Sequence, residues 1–160
     1  MDAIKAAHLL EIAIKRIAAS DTIALRDIVL RPGLPAGGSH YPGDNASDTL
    51  HLGAYTSHDN TLVAAATLCR EPMPGEHSAT SWRLRGMAIL ADYRGHGLGK
   101  ELAHHCITYA AEQGGTSVWC TSRIATVPFY RALGFAESGD TFSLPQYSDA
   151  VYIRMRRLLA

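Results

Sequence analysis

Between Arg94 and Lys100 the chain reads Arg-Gly-His-Gly-Leu-Gly-Lys, and this run leads into the clearest helical repeat of the sequence. Glycines let a backbone approach a ligand without side-chain clash, and a helix start presents unpaired N–H groups with partial positive charge. Such a turn suits a pyrophosphate. Two other phosphate loops fail on spacing. A nucleoside-triphosphate loop needs a glycine five residues before Gly99 and a serine or threonine after Lys100, where this chain has Arg94 and Glu101. A dinucleotide fingerprint needs G-x-G-x-x-G, whereas the spacing here is G-x-G-x-G.

A second reactive segment is Phe129-Tyr130-Arg131-Ala132-Leu133-Gly134-Phe135. Taken with the first, it resembles the GNAT superfamily of acetyltransferases. Arg94 to Gly99 fits that family's acyl-CoA signature R-x-x-G-x-G, and Phe129 to Phe135 is similar to its late F-Y-x-x-x-G-F segment. About thirty residues, enough for one helix and one strand, separate the two. Leu84–Ala88 (LRGMA) and Trp119–Arg123 (WCTSR) resemble a bacterial branch that usually reads WCNAR, so Thr121 and Ser122 stand where relatives have Asn-Ala. LRDIVLRPG and YPGD nearer the start resemble the same branch.

The resemblance implies an acetyl-CoA cosubstrate, no metal, and direct attack by an amine acceptor without an acyl-enzyme. It places Met87, Ala88 and Ile89 along the pantetheine, in a gap where two strands splay. It puts Arg94, Gly95, His96, Gly97, Leu98, Gly99 and Lys100 around the pyrophosphate. A backbone N–H near Ala88 would polarise the thioester carbonyl. Tyr130 matches the general acid that protonates the departing thiolate. The base for the incoming amine stays open among His40, His51, Glu71, Asp140 and water. A CoA-binding sensor of the same fold without turnover is the alternative, and homodimers are common in the family.

These residues need elements to hold them. His8 to Ala18 alternates like a strand. Ser20 or Asp21 caps a helix with Leu25, Ile28 and Val29 on one face, stopped by Pro32-Gly33. Residues 31–49 form a long irregular loop whose Asp44 and Asp48 offer attraction to a protonated amine. Strands follow at Leu50–Tyr55, Leu62–Cys69 and Trp82–Leu90, the last with Trp82, Leu84 and Ala88 on one side. Leu98, Leu102, Cys106 and Ala110 mark a helix over 97–113, closed by Gly114-Gly115. A short buried strand at 117–120, a helix at 125–133 and strands at 135–144 and 151–155 complete an α/β (α+β) architecture. The expected core is a mixed sheet of about six to seven strands flanked by helices. The acceptor is expected to meet residues 31–49, the loop 71–80 and the last strand pair. Arg154, Arg156 and Arg157 read as a solvated edge.

Composition sets the outer bounds. A chain of 160 residues forms one domain, 1–160, and buries roughly 70% of its unfolded surface. Fifteen basic and fifteen acidic residues cancel, which argues against nucleic acid held through bulk charge. Three scattered cysteines suit a reducing compartment, and no secretory pattern or apolar run of membrane length is seen, so a cytoplasmic location is expected. His104 and His105 are adjacent and face different directions, with no ligand one turn away, so they do not read as a metal site.

Overall fold

The computed structural model describes residues 11–144 and 147–160. Seven strands form one sheet: β1 (Ile12–Arg16), β2 (Leu50–Thr56), β3 (Leu62–Arg70), β4 (Ser81–Ile89), β5 (Ser117–Arg123), β6 (Ala136–Leu144) and β7 (Tyr147–Leu158). Three helices accompany them: α1 (Ile23–Leu30), α2 (Leu98–Glu112) and α3 (Val127–Ala132). The spatial order is β1-β2-β3-β4-β5-β7-β6, and every pair is antiparallel except β4 with β5. The element order, the mixed sheet and its strand count agree with the sequence. The start of the first expected strand, residues 8–10, lies outside the described residues.

A parallel pair requires a crossover between its strands, and α2 supplies it. Its buried stripe of Leu98, Leu102, Cys106 and Ala110, widened by Ala103 and Ile107, packs on the sheet face that carries Leu68, Trp82, Leu84, Val118 and Met155. The helix ends in a paired cap. The Gly115 N–H donates to the Ala110 carbonyl at 2.8 Å and the Gly114 N–H to that of Ala111 at 3.0 Å, with Gly114 at φ 77°.

The other face carries α1, and here two expectations are corrected. Ile28 is 64% exposed, whereas Arg26 is fully buried beside Leu25. The apolar repeat misleads because a charged residue takes the inward position, where it is paired. Secondly, Ala88 does not share a side with Trp82 and Leu84. Ala65 faces Ala88 and Thr67 faces Arg85, so two steps on β3 match three on β4. The extra residue is a β-bulge at Gly86, which sits at φ 63°. Beyond it Met87 and Ile89 join the α2 side, and Ala88 packs with Leu25 and Ala65 under α1.

Candidate functional site

β4 and β5 pair over three residues only, Ser81 with Ser117, Trp82 with Val118 and Arg83 with Trp119. Past that point each strand stays bonded on its outer side: β4 to β3 as far as Ile89, β5 to β7 as far as Arg123. Their shared sides part. The bulge at Gly86 bends β4 where the two separate, since a bulge leaves one residue unpaired and turns its strand. The wedge-shaped gap exposes strand edges with unspent N–H and C=O groups, which an extended amide-bearing chain can pair with.

The wedge opens toward the start of α2. Gly97 is its N-cap, held at φ 84° rather than in the usual extended conformation, and no side chain caps the helix. The Glu101 N–H makes the first helical bond, to Gly97 at 3.0 Å, and the preceding amides stay available to an anion. The three glycines of the turn have different jobs. Gly95 and Gly97 take φ of 78° and 84°, and a Cβ on either would meet nothing, so the space before them is open. A Cβ on Gly99 would instead lie 3.0 Å from Ile89 Cδ1 and 3.2 Å from Phe129 Cζ, so that glycine lets α2 seat against β4 and α3. Arg94 is exposed and its Nε donates to the Ile89 carbonyl at 3.1 Å, which ties the turn to the end of β4. His96 and Lys100 are exposed at the same rim, Leu98 is buried, and Met87 and Ile89 are half-buried around the buried Ala88. An open amide cradle flanked by the cationic Arg94 and Lys100 fits a pyrophosphate.

α3 brings Tyr130 beneath β5. The Phe135 N–H donates to the Tyr130 carbonyl and the Gly134 N–H to that of Arg131, both at 3.0 Å, with Gly134 at φ 88°. This paired cap favours an apolar contact between its two outer residues, and the Tyr130 and Phe135 rings meet edge-on at 5.6 Å. The F-Y-x-x-x-G-F spacing is therefore a helix-stop motif that also fixes the tyrosine. Tyr130 is 8% exposed, and its hydroxyl has no hydrogen bond among the described residues. Burial, and secondarily the nearby Cys120, push its phenol well above the usual range, so it is protonated at neutral pH. Cys106 and Cys120 are pushed up to about 12 by burial, so both are inert thiols of the core.

On the α1 side a polar network clamps the irregular loop. The buried Arg26 donates to both oxygens of Asp44, at 2.7 and 3.1 Å, to the Ser39 carbonyl at 2.9 Å and to Thr67 Oγ1 at 2.9 Å. His51 spends one ring nitrogen on Thr67 Oγ1 and the other on the Asp44 carbonyl, each at 2.8 Å. Asp48 pairs with Arg70 at 2.9 Å. The expected attraction of a protonated amine by Asp44 and Asp48 is thus corrected, because both carboxylates are already engaged. His51 loses its candidacy as a base for the same reason. Glu71 pairs with Arg83 at 2.9 Å, and His40 and Asp140 are exposed. The solvated-edge reading of Arg154 and Arg156 is corrected too: both are half-buried on β7, an interior strand of the sheet.

Sequence reasoning missed Arg26, the Gly86 bulge and the placement of the arginines. A signal for the first was present: an arginine one residue after Leu25 and three before Val29 sits within an apolar stripe, where it demands a partner. Two surface concavities, of about 520 and 600 Å³, lie along the outer flank of α2 and touch neither the glycine turn nor the wedge.

The acetyltransferase (GNAT) family profile matches residues 12–135. The sequence is 35% identical over 132 residues to the uncharacterized N-acetyltransferase YitI of Bacillus subtilis (strain 168), covering 82% of this chain and 87% of that one. Among solved structures, an acyl-CoA N-acyltransferase from Pseudomonas aeruginosa superposes with a TM-score of 0.70 at 21% identity, over 91% of this chain and 99% of the other. An aminoglycoside 6'-N-acetyltransferase complexed with coenzyme A gives 0.68 at 13% identity, over 91% and 96%.

Proposed function

The chain belongs to the acetyltransferase (GNAT) family, and from that premise we propose that it moves an acetyl group from acetyl-CoA to a primary amine of a small molecule or peptide, by direct attack in a ternary complex. As a member of the family it is an acetyl-CoA-dependent acyltransferase. The observation that carries the reading is the wedge between β4 and β5, which starts after Arg83 and Trp119 and faces the uncapped start of α2. A CoA-bound solved structure shares this fold.

In this reading the amides from Gly95 to Gly99 hold the pyrophosphate, with Arg94, His96 and Lys100 around it. Met87, Ala88 and Ile89 border the pantetheine, and the β4 amide near Ala88 donates to the thioester oxygen as charge develops there. The amine nitrogen forms its bond to the acetyl carbon, the carbon–sulfur bond breaks, and Tyr130 gives its proton to the departing sulfur. A phenol raised by burial is a weak acid toward a thiolate with a reference value of about 8.5, but the same dry surroundings raise the thiolate as well. With His51 and Glu71 engaged in the fold, the amine in this reading loses its proton to water.

The experiment is CoA-thiol release over a panel of amines, alongside acetyl-CoA binding followed by melting temperature. Binding with turnover supports the transferase. Binding without turnover on any amine would make the chain a CoA sensor, and absence of binding would sink both.

A further inference from the structure

The α1 face of the sheet carries a band of arginines whose order follows from the register. Side chains alternate along a strand, and residues paired across strands share a face. Arg83 is paired with Trp119, and Trp119 with Arg156 on β7. Two residues further along each strand stand Arg85 on β4, Thr121 on β5 and Arg154 on β7, with Thr121 paired to Arg154. This second row is the first one inside the wedge.

The rows differ in how their charge is met. In the outer row Arg83 pairs with Glu71 at 2.9 Å and Arg156 with Glu76 at 2.5 Å, both carboxylates coming from the loop 71–80. In the inner row no carboxylate lies within ion-pair distance of Arg85 or Arg154, and neither guanidinium donates a hydrogen bond among the described residues. Among the described residues each lies over a ring, Arg85 over that of Tyr41 at 4.1 Å and Arg154 over that of Phe142 at 4.3 Å. Stacking fixes a guanidinium plane and leaves its in-plane donors unspent. The Nε atoms of all four arginines are shielded from solvent without an acceptor, so the rows differ in their terminal nitrogens, which meet carboxylates in the outer row alone. Burial first, and then the neighbouring Arg83, lower the Arg85 pKa.

We propose that the acetyl acceptor is an amine that also carries a carboxylate, gripped by Arg85 and Arg154 on either side of Thr121 so that its amine points into the wedge. The inference rests on the acetyltransferase reading of the same site and names its substrate class. Arg85 and Arg154 stand on the two strands that flank β5 where the wedge opens, and each carries a forked guanidinium on a long side chain that suits a carboxylate. The same pair repels a polyamine, and the loop aspartates that could have offset this are engaged by Arg26 and Arg70.

The test uses the full chain and matched acceptors: the common L-amino acids, their amides and the corresponding decarboxylated amines. Acids should exceed their amides in kcat/KM by at least about tenfold, one well-placed charged contact. Arg85→Gln and Arg154→Gln should each cut the acid's kcat/KM by about tenfold or more, leave the amide's unchanged and preserve the acetyl-CoA melting shift. Arg85→Lys and Arg154→Lys should restore part of the preference, which a fold-only role would not. In the CoA-saturated protein, the Nε–H resonances of both arginines should move with the acids and not with the amides. Equal use of acids and amides, or a preference that survives both glutamine variants, overturns the acceptor class while leaving acetyl transfer intact. Resonances that respond to acids without turnover on any amine would leave a carboxylate site but refute transfer, and with it the acceptor role. If acids neither move the resonances nor are acetylated in preference, the inference is overturned.

Discussion

The two faces of the sheet follow opposite plans. Under α2 and α3 the core is apolar and dry: Leu102, Cys106, Ala110, Val118 and Met155 have no exposed surface, and polar work is left to the backbone. Under α1 the apolar cluster is small, centred on Leu25, Ala65 and Ala88, and the rest is built from paired charge and stacked arginines. On the proposed reading the first face serves acetyl-CoA, and main-chain amides do most of the holding. On the same reading the second receives the acceptor, and its character lies in side chains rather than in the turn or the wedge.

The largest effect expected on this contrast falls on the dry face. Tyr130→Phe removes a hydroxyl without a hydrogen bond among the described residues, so stability and acetyl-CoA binding should hold while kcat drops about 10²–10⁴-fold, the usual range for a lost general acid. Unchanged turnover in steady-state assays would make Tyr130 a packing residue. Next comes the anchor of the polar face. Arg26→Met strands Asp44 in a buried site, and breaking such a pair costs about 3–5 kcal/mol. For a chain of this size that is a fall of roughly 6–20 °C in melting temperature. Burial alone would raise the Asp44 carboxyl, but the Arg26 and Tyr41 hydrogen bonds bring it below its ordinary value. Its contribution is therefore present at neutral pH and lost as pH falls below about 4, and the variant should lack that acid-dependent loss. Equal melting of variant and wild type at pH 7 would contradict the clamp.

A smaller change separates the faces functionally. Tyr41 stacks on both Arg26 and Arg85 at 4.1 Å, so Tyr41→Ala should lower kcat/KM for the acceptor by about tenfold, about 1.4 kcal/mol, and leave the acetyl-CoA melting shift unchanged. Parallel loss of both would show that the loop serves the cofactor instead. A further effect, confined to alkaline pH, concerns the burial of the α2 face. Between about pH 9 and 12 an unfolded chain has released the Cys106 and Cys120 protons while the folded one retains them, so stability falls as pH rises. Each thiol contributes up to about 1.4 kcal/mol per pH unit, and Cys106→Ala should flatten the alkaline limb by one thiol's share. An unchanged slope in pH-dependent melting would mean that water reaches Cys106.

What the sequence made legible divides along the same line. The glycine turn, the α2 repeat and the F-Y-x-x-x-G-F stop are local patterns, in which spacing alone dictates caps and periodicity. They led to the right elements and the right family. Arg26 with Asp44 is a pairing 18 residues apart and Arg26 with Thr67 one of 41, and neither leaves a periodic trace. The Gly86 bulge leaves no sequence signal, because one inserted residue reverses alternation without changing composition, and strict alternation puts Ala88 with Trp82 and Leu84. The arginines of β7 looked like a solvated edge because sequence order hides that the last strand inserts between β5 and β6.

The central claim, that the wedge and the Gly95–Gly99 turn seat acetyl-CoA, is tested most directly by thermal melting of wild type and Gly97→Glu with and without the ligand. The substitution strains a residue at φ 84° and puts a carboxylate where the pyrophosphate would lie, so the shift rather than the absolute midpoint is the readout. At one hundred times the dissociation constant, mass action stabilises by about 2.7 kcal/mol, roughly 5–10 °C here. Wild type should show that rise and the variant none; no rise in wild type at millimolar acetyl-CoA, or an equal rise in both, would contradict the account.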